Sequence, residues 1–410
     1  MRDFFLRSFL LISLPIFQSA RRLEFVQVIW RHGDRAPGGL PYPNDPYTAK
    51  DWPNGWNQIT ERGVQQLHRL GQFLRTRYID TGFVSEKFNT SQIYIRSSDA
   101  DRALASAQAV VMGMFSAEES INSTSWLPVP IHATSPGFPD PYCKATSIDC
   151  PLQHRLEDET NKKGGEIYNE QYKELFKFLE NATGIKNFDF EDVDSVYNIQ
   201  RELWNGLVDK QPSWINQTWP QYNNRTTMDI ITELNTYLSQ NQANSFEKAK
   251  AVTGLTLYNW LQNIMQATGG KTKQKMLLFS SHDGTLSSLL YSLSVANGLT
   301  VPYSAAIIME VYSDNNSSRN QVELYYRNET HSNSPFRLYF PECYDSCYVD
   351  SLMGIYKDSV LESLDDMYQY CESNLTACNP TPKTSKSARS QTSIMGIVLS
   401  TIFISILYVQ

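Results

Sequence analysis

Three short stretches of the chain combine arginine, histidine and aspartate: RHGDRAP at 31–37, IRSSDADR at 95–102 and SSHDG at 280–284. Arg31, Arg35 and Arg96, gathered with His32 and His282, would concentrate hydrogen-bond donors at one point. A planar guanidinium meets phosphate oxygens in a bidentate way, and three of them can surround a dianionic phosphoryl group. Such a cage suits phosphoryl transfer, where catalysis is mainly positioning and charge stabilisation. The reaction also needs a nucleophile and an acid. There is no GxSxG serine elbow, no CX5R-like thiolate loop and no P-loop, which leaves histidine. A neutral imidazole can attack phosphorus to give a phosphohistidine, and a nearby carboxyl group can protonate the departing oxygen. His32 is the better nucleophile, because flanking arginines disfavour its imidazolium form. Asp283 can supply the proton, and His282 a further hydrogen bond. Nothing in the sequence identifies a metal or organic cofactor, and this chemistry requires none.

Each cluster follows an apolar run with strand character. LEFVQVIW (23–30) leads into RHGDRAP, IYI (93–95) into RSSDADR, and MLLF (276–279) into SSHDG. Behind the second lie Leu104, Ala107, Val111 and Met114 on one helical face, and behind the third Leu286, Leu289 and Leu290. Another amphipathic helix is predicted from Thr60 as N-cap through Val64, Leu67, Leu74 and Tyr78, with Gly71 as a point of close approach. Strand, loop and helix in repeated order predict an α/β domain with a largely parallel sheet. Ligands of such sheets bind beyond the carboxyl ends of the strands, so the three clusters would meet in one crevice. Residues 21–150 and 251–380 are read as the two parts of this domain. Between them, 151–250 is rich in Glu, Lys, Asn and Trp, shows helical patches, and is expected to form a cap.

Composition narrows the partners and the compartment. The chain has 410 residues, a net charge of −7 and 41% hydrophobic residues, enough for a sizeable core and unlike a nucleic-acid binder with a broad basic face. Residues 1–20, with Arg2 and Arg7, the apolar stretch Phe9 to Phe17 and small residues at Ser19 and Ala20, read as a secretory signal peptide. At the other end a polar linker, 381–393, precedes the apolar tail 394–410, which reads as a GPI-attachment signal or a short membrane span. The six cysteines, Cys143, Cys150, Cys343, Cys347, Cys371 and Cys378, suit three disulfides in an oxidising space. Zinc is disfavoured, since no CxxC pair and no histidine at ligand spacing accompanies them. N-x-S/T acceptor triplets begin at nine asparagines from Asn89 to Asn374, which agrees with a glycoprotein.

RHGDRAP, IRSSDADR and SSHDG in this order resemble the histidine acid phosphatases, the prostatic and lysosomal type within the phosphoglycerate mutase-like superfamily. The resemblance extends to 52–78, to VELYYRNET (322–330) and to the CYDSC loop (343–347), and so covers most of 23–378. It implies a three-layer α/β sandwich with a mostly parallel central sheet and a smaller helical cap. It implies His32 as the phosphorylated nucleophile, Arg31, Arg35 and Arg96 with His282 as phosphate ligands, and Asp283 as proton donor. It also implies small phosphomonoester substrates, the pairings Cys343–Cys347 and Cys150–Cys371, and a homodimer as the common assembly. Parity then leaves Cys143 with Cys378. Two alternatives stand beside this reading: an inositol-phosphate or phospholipid phosphatase, and a surface glycoprotein that only binds an anionic ligand.

Overall fold

The computed structural model describes residues 21–115, 128–314, 317–328, 334–343 and 346–373. The predicted signal peptide, the 381–393 linker and the apolar tail lie outside them. Within the described residues the chain begins with β1 (Arg22–Arg31), α1 (Glu61–Leu74), β2 (Ile93–Ser97), α2 (Asp101–Phe115) and the short β3 (His132–Ala133). A helical stretch follows: α3 (Pro151–Gln171), α4 (Lys173–Thr183), α5 (Val193–Tyr197) and α6 (Ile199–Trp204). The small hairpin β4 (Thr218–Trp219) and β5 (Arg225–Thr226) leads to α7 (Thr227–Asn241) and α8 (Phe246–Thr268). Then come β6 (Met276–Ser281), α9 (Asp283–Ser292), β7 (Ala306–Asp314), β8 (Ser317–Arg327), β9 (Phe336–Leu338) and β10 (Cys347–Tyr348).

β1, β2, β3 and β6 pair in parallel in the order β3-β2-β6-β1, and the sheet continues antiparallel through β7, β8 and β10. The parallel half contains the three strands read from the sequence. Its strands are apolar on both faces because helices cover both faces. In β1, Val26, Val28 and Trp30 pack with Leu67, Leu70 and Val110 of α1 and α2. Phe25 and Ile29 face the other way, toward Leu257, Leu261 and Leu286 of α8 and α9. Three layers result. Helices α4, α5 and α7 bury a separate apolar cluster that includes Leu175, Phe190, Val196 and Ile231.

α1 starts where its sequence predicts. The Thr60 hydroxyl accepts the Gly63 N–H, so a first-turn donor is satisfied. Regular α geometry stops at Leu74, and Arg75–Ile79 continues as a wider π-helical turn that carries Tyr78 into the core. Gly71 is a contact point, as its position on the helix suggests. A methyl group there would strike the Val110 carbonyl of α2, and one on Gly113 would strike the His68 carbonyl of α1. The two backbones touch only because neither residue has a side chain.

Cys150 is bonded to Cys371 and Cys343 to Cys347. The Cys143–Cys378 bridge expected from parity falls partly outside the described residues, since Cys378 is not among them; Cys143 itself is fully buried and has no disulfide partner among the described residues. Its backbone is tied down by two hydrogen bonds, since its N–H donates to Asp140 and its carbonyl accepts from the Ser281 hydroxyl. Among the described residues no helix is long and apolar enough to cross a membrane.

Replacing Gly113 with Ala should lower unfolding free energy by about 1–3 kcal/mol, because an added methyl in a close-packed crossing forces backbone shifts. Urea denaturation of the variant checks this; an unchanged midpoint would mean that the α1–α2 contact is looser than described.

Candidate active site

The parallel register of β1 with β6 sets Arg31 beside Ser281. His32 N–H then donates to the Ser281 carbonyl at 2.9 Å, and Ser98 N–H to the Ser280 carbonyl at 3.2 Å. The three loops therefore leave the sheet from adjacent strands at the same end. Two glycines allow the first loop its path, since a methyl on Gly33 would collide with the backbone of Gly63 in the first turn of α1, and one on Gly63 with the backbone of Asp34. Asp34, fully buried, accepts from the Thr60 hydroxyl and from Asn205 Nδ2, each at 2.7 Å. The aspartate of RHGDRAP thus fastens the loop to α1 and to the α6 end.

His32 and His282 stand edge to face with ring centroids 5.2 Å apart, both buried. Nδ1 of His32 lies 2.8 Å from the Gly33 carbonyl, which can only accept, so Nδ1 carries the proton and Nε2 the lone pair. That lone pair accepts the Nε–H of Arg102 at 3.1 Å. Nη2 of Arg102 is 3.4 Å from Nδ1 of His282, whose Nε2 is 2.7 Å from the Ser98 hydroxyl. Arg102 thus spans the two imidazoles.

Arg31 closes the site from the other side. Its Nη2 pairs with Asp283 at 2.6 Å, its Nη1 donates to the Val301 carbonyl at 2.5 Å, and its guanidinium lies 4.0 Å over the Tyr303 ring. Arg35 lines the same cleft, donating only to the Ala36 carbonyl while its buried Nε has no partner among the described residues. Arg201 of α6 also lines it, bonded through Nε to the Tyr303 hydroxyl at 2.9 Å. The cleft has a volume of about 930 Å³.

Arg96 is corrected. It sits inside β2, donates to Thr134 at 2.7 Å and pairs with buried Asp140 at 3.3 Å. Its hydrogen bonds run to the β3 side of the sheet, where it holds Asp140 in place. The arginine of IRSSDADR that meets the histidines is Arg102, in the first turn of α2 and beyond the strand's carboxyl end. The geometry of ligand sites in parallel sheets could have favoured it over an in-strand arginine. Arg201 and Tyr303 carried no comparable sequence signal, since each comes from a segment far from the three clusters.

The electrostatics follow from this packing. Burial pushes the His32 pKa well below its ordinary value, and His282, Arg31 and Arg102 push it further. Burial and Arg102 bring His282 down to about 3. Burial, Arg201, Arg102 and Arg31 lower Arg35 to about 10. For Asp283 burial works upward, but the Arg31 guanidinium outweighs it and holds the carboxyl below the usual range. Asp283 is the first residue of α9, accepts the Gly284 N–H at 3.0 Å, and its side chain is 54% exposed to the cleft. The resting site is therefore two neutral imidazoles, a set of cations and one carboxylate, an arrangement able to receive an anion.

The description of the histidine phosphatase superfamily, branch 2, matches residues 22–327. A lysosomal acid phosphatase of Xenopus laevis is 31% identical, with 87% of this chain and 81% of that protein covered. A prostatic acid phosphatase of Rattus norvegicus is 34% identical, with 82% and 87% covered. Among solved structures, the apo form of Hafnia alvei phytase superposes with a TM-score of 0.60 at 18% identity, covering 86% of this chain and 98% of that one, a likeness of fold. The chain belongs to the histidine phosphatase superfamily, branch 2.

Arg102 and Arg96 should separate cleanly on substitution. Arg102→Ala is expected to weaken inorganic phosphate binding about 10- to 100-fold by calorimetry, the range of one lost charge-assisted hydrogen-bond donor. Arg96→Ala should leave phosphate affinity close to wild type and cost about 3 kcal/mol of stability, because Asp140 would stay buried without its cation. The reverse pattern would restore Arg96 to the site.

Proposed function

We propose that the protein is an acid phosphatase that hydrolyses phosphate monoesters to an alcohol and orthophosphate through a phosphohistidine on His32. The observation that carries this reading is the His32 imidazole: buried, neutral, its proton held on Nδ1 and donated to the Gly33 carbonyl, and its Nε2 lone pair accepting from the Arg102 guanidinium. The names of the similar acid phosphatases support the substrate class.

In this mechanism the phosphoryl oxygens take the donors of Arg31, Arg35 and Arg102. Arg102 leaves the His32 lone pair free to attack phosphorus. The N–P bond forms as the bond to the ester oxygen breaks, and Asp283 gives that oxygen its proton. Water then attacks the phosphohistidine, its proton passes to the Asp283 carboxylate, the N–P bond breaks with its electron pair returning to His32 Nε2, and orthophosphate departs. His282 joins as a donor once Nδ1 is protonated, which a bound dianion beside it favours.

The pH dependence follows in sign. Since both histidines have lowered pKa values, they stay neutral in acid where a free imidazole would be charged, and the nucleophile survives there. The same shift makes the fold lose stability as pH falls below about 6.5, because the unfolded chain binds protons that the native state excludes. Asp283 is ionised in the resting site. Substrate draws Arg31 away from it and adds negative charge beside it, so its pKa rises and acid solution supplies the proton.

Support for a secretory-route or lysosomal compartment comes from the Cys150–Cys371 and Cys343–Cys347 bridges and from the relatives named lysosomal. A GPI or single-span anchor at 394–410 and a homodimer are parts of this proposal.

Asp283→Asn should lower kcat/KM for alkyl phosphates by about 10²- to 10⁴-fold. The loss should be far smaller for p-nitrophenyl phosphate, whose phenolate leaves without a proton. An equal loss for both substrates would remove Asp283 as the acid.

A further inference from the structure

Arg31, Arg35, Arg62 and Arg201 line the cleft, the last of them on α6 within reach of the Asp194 charge. The helical wall of the cleft carries Glu157 from α3, Glu191, and Asp194 from α5. None of these carboxylates has a cation within ion-pairing distance among the described residues. Glu157 accepts one hydrogen bond, from Gln153 at 2.8 Å. A second feature of the same wall points the same way. Asn198 and Asn235 also line the cleft, are 8% and 4% exposed, and have amide oxygens without a partner among the described residues. Buried amide oxygens ordinarily have a donor, and an unmatched one lowers stability. The carboxylates, with unmatched amide oxygens buried just behind the lining, make this wall rich in acceptors.

The cleft therefore carries, beside its arginines, carboxylates that hold no ion pair among the described residues. A phosphate ester whose alcohol ends in an ammonium complements both, because –NH₃⁺ has three donors and no acceptor. An ester with a second phosphate or a carboxylate would carry its extra charge toward like charge. We propose that this cleft selects phosphate monoesters of amine-bearing alcohols, the phosphoryl group on the arginines and the ammonium against Glu157, Glu191 and Asp194. This deepens the phosphatase reading above and rests on it.

The test is kcat/KM of the full enzyme at low ionic strength on ω-aminoalkyl, ω-hydroxyalkyl and ω-carboxyalkyl phosphates of increasing chain length, with p-nitrophenyl phosphate as reference. At the best-fitting length the amine should exceed the carboxylate by about tenfold or more, the scale of a few partly screened charges. The preference should shrink as salt is added, and should largely vanish in Glu157→Gln, Glu191→Gln, Asp194→Asn. Wild type supplies the salt series even if that triple variant does not fold. Equal values for the three series at every length, with p-nitrophenyl phosphate still turned over, would overturn this inference alone. So would an amine preference that persists in the folded triple variant. Absence of p-nitrophenyl phosphate turnover would overturn the phosphatase reading and this inference with it.

Discussion

A histidine is useful as a nucleophile in acid only if it refuses a proton there, and His32 does so because it is desolvated among cations. Burial removes the water that would stabilise an imidazolium, and Arg31 and Arg102 add repulsion on two sides. The Gly33 carbonyl then decides which nitrogen keeps its proton. Every nearby feature serves that placement. The β1–β6 register brings the His32 loop to the His282 loop, the Gly33 and Gly63 contact lets the backbone pass, and Asp34 ties the loop to Thr60 and Asn205.

The same cations leave a charge imbalance that the resting protein meets with Asp283. Its pairing with Arg31 at 2.6 Å keeps the cleft from being a bare cationic hole, and in the proposed mechanism it would couple proton donation to substrate arrival. An anion that takes Arg31 changes the environment of Asp283 in the same event. In the proposed mechanism one interaction thus links binding to acid catalysis. Asp283 sits at the start of α9, where a carboxylate is also favoured by the helix dipole.

Much of this was legible in the sequence because the relevant signals are local. β1, β2 and β6 are short apolar runs that end in the motifs, and α1 announces itself through Thr60 and its spaced leucines. His32, Arg31, Arg35, His282 and Asp283 come together at the crevice as the strand-end rule requires. Arg96 misled because residue type and nearness to a strand end do not reveal which way a strand side chain points, whereas Arg102 lies past the strand and reaches the histidines. The antiparallel continuation through β7 and β8 depends on pairing partners distant in sequence, as do the contacts of Tyr303 and Arg201. The two bridges that lie within the described residues, Cys150–Cys371 and Cys343–Cys347, are the pairings the resemblance implied.

The most direct test of the central claim is to mix the enzyme with a ³²P-labelled phosphomonoester, quench without acid within a fraction of a turnover, and compare wild type with His32→Ala. Acid-labile, base-stable label on the wild-type protein and none on the variant is the predicted result. Label that persists in His32→Ala, or folded wild-type enzyme that turns over substrate with no label at any time, would contradict the account.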